Sequence, residues 1–142
     1  MAFDVVVPLK EVLDELTYDN SVRVVVLTGA GRGFSSGADH KSAGSVPHVA
    51  GLTQPTYGLR SMELLDDVIL AIRKLHQPVI AAVNGAAIGG GLCLALAADI
   101  RVAASDAYFR AAGINNGLTA SELGLSYLLP RAIGSSRAFE IM

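Results

Sequence analysis

The chain has 142 residues, of which 51% are hydrophobic and 17% charged, and its formal net charge is −2. That length suits one domain with a sizeable core, and the composition excludes a disordered chain and offers no basic block for nucleic acid. The apolar stretches are interrupted by Asn84 and glycines, which argues against a membrane span, and residues 1–20 lack the basic-then-apolar layout of a secretory signal. A single cysteine, Cys93, excludes an internal disulfide and suits a reducing compartment, so the cytoplasm is the expected location.

Residues 3–17 set Val6, Leu9, Val12, Leu13 and Leu16 on one face and Lys10, Glu11, Asp14 and Glu15 on the other. This predicts an amphipathic helix, with Asp4 as a candidate cap and Pro8 tolerable only in its first turn. Residues 22–28 form a β-branched apolar run, expected as a strand buried on both faces in a parallel sheet. Residues 29–39 are then a loop of small residues with a short helical start near Asp39. The loop matches neither the phosphate-loop pattern nor the dinucleotide glycine spacing, and both nucleotide readings are rejected.

Residues 42–56, with Gly44, Pro47, Gly51 and Pro55 and no periodicity, read as a mobile surface loop. Leu59, Met62, Leu65, Ile69 and Ile72 predict a long amphipathic helix ending near Leu75, with Asp66 and Asp67 on its solvated side. Residues 79–83 are a buried strand that Asn84-Gly85 breaks, and Gly89-Gly90-Gly91 opens a helix of Leu and Ala. Strand, glycine turn and helix in that order leave backbone N–H groups unsatisfied at the positive end of a helix dipole. Such a site suits an oxygen that is negative or becoming so. Strands at 99–103 and 107–109 come next, then a turn at Asn115-Asn116-Gly117, a helix over 122–128 capped by Ser121, and a last helix starting at Pro130 and still running at Met142.

Gly37-Ala38-Asp39 in the first loop and Asn84-Gly85 with Gly89-Gly90-Gly91 in the second resemble the enoyl-CoA hydratase/isomerase (crotonase) family. The segments 78–83 and 98–103 match the pattern flanking those motifs, and the likeness covers nearly the whole chain. It implies an α/β fold, a crotonase-like spiral of repeated β-β-α units. It also implies that residues 1–142 are one partial core domain, truncated at both ends, lacking the N-terminal strand region and the C-terminal trimerisation helices. The ligand implied is an acyl-CoA or enoyl-CoA thioester, with no metal and no cofactor beyond coenzyme A as part of the substrate, in a homotrimer or hexamer when full length. By position, the oxyanion hole would be the amides of Ala38 and Gly90, and Ser36, Gly37, Ala38, Asp39, His40, Lys41, Gly89 and Gly90 would bind substrate.

The pattern departs from the hydratases at two places. Where that resemblance puts the two glutamates that activate water, this chain has Cys93 and Gly113. Glu122 stands where dienoyl-CoA isomerases of the same family carry an acidic residue, and one carboxylate suffices to move a proton between carbons. The expected activity is therefore double-bond isomerisation or hydration of an enoyl-CoA with Glu122 catalytic. The alternatives are a non-catalytic acyl-CoA binder, and a structural subunit in which the glycines only pack. Cys93 otherwise reads as a small core residue, and Glu122 as a helix-start glutamate favoured by the dipole. Ser35, Ser36 and His40 lack a nucleophile elbow, and His48 and His76 lack metal-ligand spacing.

Overall fold

The computed structural model describes every residue except His40, Ile114, Asn116, Leu118 and Ala120. Its elements are α1 (Phe3–Tyr18), β1 (Val25–Thr28), α2 (Gln54–Lys74), β2 (Val79–Val83), β3 (Ala86–Ile88) and α3 (Gly90–Ala97). After these come β4 (Ile100–Ala103), β5 (Tyr108–Arg110), a 3-10 turn (Glu122–Gly124), α4 (Leu125–Ile133) and α5 (Ser135–Ile141).

Two parallel sheets result. The first has the order β1-β2-β4, with Val25 opposite Val79 and Ile80 opposite Ile100. In the second, β3 pairs with β5, Ala87 opposite Phe109, and Ser35 bridges to Ala87 along the other edge. The amides of Phe34 and Ser35 donate to the Ala86 carbonyl, and the Ile88 amide donates to the Ser35 carbonyl. Each turn of the chain thus contributes to both sheets and then forms a helix: β1, the Ser35 bridge and α2; β2, β3 and α3; β4, β5 and α4. The α/β spiral of β-β-α units is present.

The core lies where α2 and α3 meet the first sheet. Val68, Val79 and Val83 are its largest fully enclosed side chains, each worth about 1.5–3 kcal/mol on burial. Residues 91–97 of α3 are all buried. A β-carbon on Gly91 would stand 2.2 Å from the Ser35 carbonyl oxygen, so only glycine lets α3 lie against the loop that precedes it in space.

Several boundaries differ from the sequence expectation, each for a local reason. β3 was not anticipated: Asn84-Gly85 is a corner between two strands, and a three-residue strand acquires its pairing from β5, 20 residues downstream. β1 is not buried on both faces, since Val24 and Val26 are 45% and 57% exposed while Val25 and Leu27 pack on the core. Pro8 lies inside α1, and the helix is capped at Ala2 without a side-chain bond. Asp4 instead accepts from the Ser45 amide at 3.4 Å. No helix starts at Asp39, whose carboxylate accepts from the amides of Lys41 and Ser42 at 2.9 Å each. Residues 42–53 pack partly on the rest, through buried Val46 and a bond from the Phe3 amide to the Ala43 carbonyl. α2 starts as early as Gln54 because Pro55 sits in its first turn, where a missing N–H costs nothing. Ser121 makes no cap bond, Pro130 falls inside α4, and α5 begins after Gly134.

One side chain joins the two glycine loops. The Asn84 amide nitrogen donates to the carbonyls of Gly29 at 3.1 Å, Gly31 at 3.0 Å and Gly33 at 3.4 Å, and its oxygen accepts from the Gly29 amide at 3.2 Å. Backbone groups of a turn that cannot pair within a ladder need such a partner. Asn84→Ala is expected to lower stability by about 1–3 kcal/mol in urea unfolding, from the loss of these bonds and the orphaned carbonyls. Unchanged unfolding would show that the clamp contributes nothing.

Candidate active site

The second sheet fixes where the glycine loops end. Ser35, Ala87 and Phe109 stand opposite one another, and in each strand the residue three further on is Ala38, Gly90 or Ala112. Parallel strands share their carboxyl-end side, so the three loops emerge together, at the place where open α/β sheets bind ligands. The loops touch: a β-carbon on Gly37 would lie 2.7 Å from the Ile88 oxygen and 3.3 Å from the Gly90 nitrogen. Gly37 has φ +85°, which together with that contact requires glycine.

A cavity of about 290 Å³ opens at these strand ends, lined by Ala38, Gly90, Ala112, Met62, Cys93 and Glu122 among others. Gly90 is the first residue of α3, and the Cys93 amide makes the first helical bond, to the Gly89 carbonyl at 3.1 Å. Among the described residues, neither the Ala38 nor the Gly90 amide donates to an acceptor. Both thus lack an internal acceptor, Gly90 with the dipole of a buried helix behind it and the Met1 side chain beside it.

Glu122 reaches the same cavity from the 3-10 turn. Leu123 there has φ +52° and Gly124 has φ +72°, a bend that ends the turn before α4. The carboxylate is held on one side only. Its Oε1 accepts from the Thr119 amide at 2.6 Å and from the Thr119 hydroxyl at 2.9 Å. Among the described residues, Oε2 has no hydrogen-bond partner.

Cys93 lies behind Glu122, its Sγ 3.9 Å from the Glu122 carbonyl oxygen. Burial pushes its thiol up to about 12, and the negative charges of Glu122 and Asp66 add to that shift. A neutral thiol at working pH is neither nucleophile nor base. Asp66 is not on the solvated side of α2 as expected. It is half-buried, and burial raises its carboxyl above the usual range, helped by the charges of Asp67 and Glu122 and opposed by the Leu123 amide. Asp67 is exposed, on the solvated side of α2 as expected.

The remaining expected positions divide between two places. Ser36, Gly37, Gly89 and Gly113 line the cavity with Ala38, Gly90 and Glu122. Asp39 and Lys41 line an adjoining groove of about 790 Å³ that shares Ser36 and Ala38 with it. His40 lies outside the described residues. Three contributors escaped the sequence. Met62 and Leu65 form the apolar wall opposite the loops, and Thr119 holds Glu122. The Thr-x-x-Glu spacing was the available signal for Thr119, as was Asp66 interrupting the Met62–Leu65–Ile69 stripe for its burial. Among the described residues no group of three or more His, Cys, Asp or Glu is placed to hold a metal, and no helix is long and apolar enough to cross a membrane.

A family model described as enoyl-CoA hydratase/isomerase matches residues 3–142. A probable enoyl-CoA hydratase of Mycobacterium bovis is 88% identical over all 142 residues, which are 50% of that protein. A crystal structure of a probable enoyl-CoA hydratase/isomerase from Mycobacterium abscessus superposes with a TM-score of 0.93 at 72% identity, covering 100% of this chain and 52% of that one. A monofunctional enoyl-CoA isomerase from Mycobacterium smegmatis does so with a TM-score of 0.77 at 68% identity, covering 100% and 55%. The chain spans about half the length of the curated relatives it matches.

The state of Cys93 is open to a direct check. At pH 8 its alkylation by iodoacetamide is expected to run roughly a thousandfold slower than that of a free cysteine, rising only as denaturant unfolds the chain. Fast labelling of the folded protein would contradict a buried, neutral thiol.

Proposed function

The chain belongs to the enoyl-CoA hydratase/isomerase family, and from that premise we propose that it binds an enoyl-CoA thioester and moves its double bond. The observation that carries this reading is one cavity holding two unengaged amides, from Ala38 and Gly90, and a single carboxylate, Glu122. The thioester carbonyl sits between the two amides. Glu122 Oε2 takes a proton from the α-carbon, the electron pair flows to the carbonyl oxygen, and the same carboxyl protonates the γ-carbon. Each amide stabilises the enolate oxygen by about 2.7–4 kcal/mol. No water needs activating, which suits a site with Cys93 and Gly113 where the hydratases of the resemblance carry glutamates. The name of the Mycobacterium smegmatis relative, an isomerase, supports the same choice.

Met62 and Leu65 give the acyl chain an apolar wall, and the groove lined by Asp39 and Lys41 takes the coenzyme A portion. No metal or redox cofactor enters the reaction, because the enolate charge is met by amides. Assembly as a trimer or a dimer of trimers, in the cytoplasm, belongs to the same proposal.

A second reading rests on the same two substitutions: with Cys93 and Gly113 in place of carboxylates, the protein binds acyl-CoA without turning it over. The two separate in one experiment on the native protein. With trans-3-hexenoyl-CoA, conversion to the conjugated 2-enoyl product is followed by absorbance, and Glu122→Gln is expected to lower kcat about 10²- to 10⁴-fold with little change in KM. Unchanged turnover in that variant removes Glu122 from the mechanism. Calorimetric binding of hexanoyl-CoA without turnover of any enoyl thioester selects the second reading.

A further inference from the structure

The hydrogen bonds around Glu122 are lopsided, and the asymmetry has a chemical consequence. Both bonds to the carboxylate end on Oε1, and both come from Thr119. A carboxylate only accepts, so the Thr119 hydroxyl proton points at Oε1. The Ser121 hydroxyl lies 2.6 Å from Thr119 Oγ1 and must then be the donor of that pair, as is the Ser121 amide at 3.3 Å. The Thr119 hydroxyl is thereby turned towards Glu122 from behind.

A helix cap explains only part of this. In a capping box the glutamate reaches back to the cap amide, as Glu122 does to Thr119, but the cap hydroxyl accepts from the backbone amide of the glutamate. Here the hydroxyl directs its proton at the carboxylate, and the chain continues into a 3-10 turn bent at Leu123. The arrangement holds one carboxylate oxygen with two bonds and leaves the other without a partner among the described residues, on a residue that lines the cavity.

We propose that Thr119 is a positioning residue that makes Glu122 a one-oxygen base, so that the proton taken from the α-carbon is returned to the γ-carbon before it exchanges with solvent. This rests on the proton-transfer role proposed above for Glu122. In the step, the α-C–H bond breaks and an O–H bond forms on Oε2. The same O–H bond then breaks as the γ-C–H bond forms, and the carboxylate is regenerated. Rotation of the carboxyl would carry the Oε2 proton to the Oε1 side, where Thr119 and Ser121 are exposed to water. Two bonds on Oε1 oppose that rotation, and the acyl chain against Met62 and Leu65 keeps water from Oε2.

The test is the isomerisation of trans-3-hexenoyl-CoA by the native protein in D2O, with the deuterium content of the 2-enoyl product read by mass spectrometry and its position by NMR. The native protein is expected to give product with less than half an atom of deuterium at the γ-carbon. Thr119→Val, which keeps the amide and loses the hydroxyl, is expected to raise that content at least twofold and to lower kcat about tenfold with KM within twofold. Thr119→Ser is expected to restore both values. Should valine strain the turn, as judged by circular dichroism and melting temperature, Thr119→Ala replaces it with the same expectation. Deuterium content in the folded hydroxyl-less variant equal to that of the native protein overturns the proposal, and so does fully deuterated native product. Native turnover by Glu122→Gln instead removes the underlying role of Glu122, an outcome distinguishable because it needs no isotope.

Discussion

The site depends on how Asn84 ties one glycine loop to another. Four hydrogen bonds from a single amide side chain satisfy the backbone of residues 29–33, a stretch too rich in glycine to hold a shape by itself. With that loop fixed, Ser35 enters the second sheet beside β3, and the register of parallel strands does the rest. Ala38 and Gly90 come out side by side because they are the same distance past paired residues. Neither amide is consumed by the ladder that positions it. In the function proposed above, this pair of unengaged amides is the preorganised set of donors for the developing charge.

The walls of the cavity divide the chemistry. On the loop side there are amides and small residues, and on the α2 side methionine and leucine. Glu122 is the carboxylate that lines it among the described residues, and Cys93 behind it stays neutral because burial and two nearby negative charges all oppose its ionisation. The same surroundings raise Asp66, so burial opposes the charged form of both Cys93 and Asp66. An apolar pocket with one carboxylate and two unengaged amides is the basis for proposing a proton shuttle between carbons over the addition of water, which asks for a second acid–base group.

The bend at Leu123 brings Glu122 into this arrangement. A leucine in the left-handed region carries strain that persists only where the surroundings over-determine it, and such residues gather at functional sites. Here the surroundings are α2 on one side and the Thr119 bonds on the other, so the fold places the carboxylate at some conformational cost.

How much of the fold is legible in the amino acids alone depends on the range of the forces involved. The strand at 79–83, the helices at 3–18 and 90–97, and the two glycine motifs were legible, because β-branched runs, helical periodicity and glycine clusters act within a few residues. The resemblance to a family, carried by those motifs, was legible as well, and with it the position of Glu122. β3 was not, since three residues of Ala and Ile say nothing until β5 pairs with them. The exposed half of β1, the burial of Asp66 and the clamp of Asn84 were equally hidden, each being set by what another segment places opposite it. Local sequence thus determined which elements form and which residues end them. Only tertiary contact decided that the ends of β3, β5 and the Ser35 bridge segment meet, that the Ala38 and Gly90 amides go unpaired among the described residues, and that Glu122 lines the same cavity.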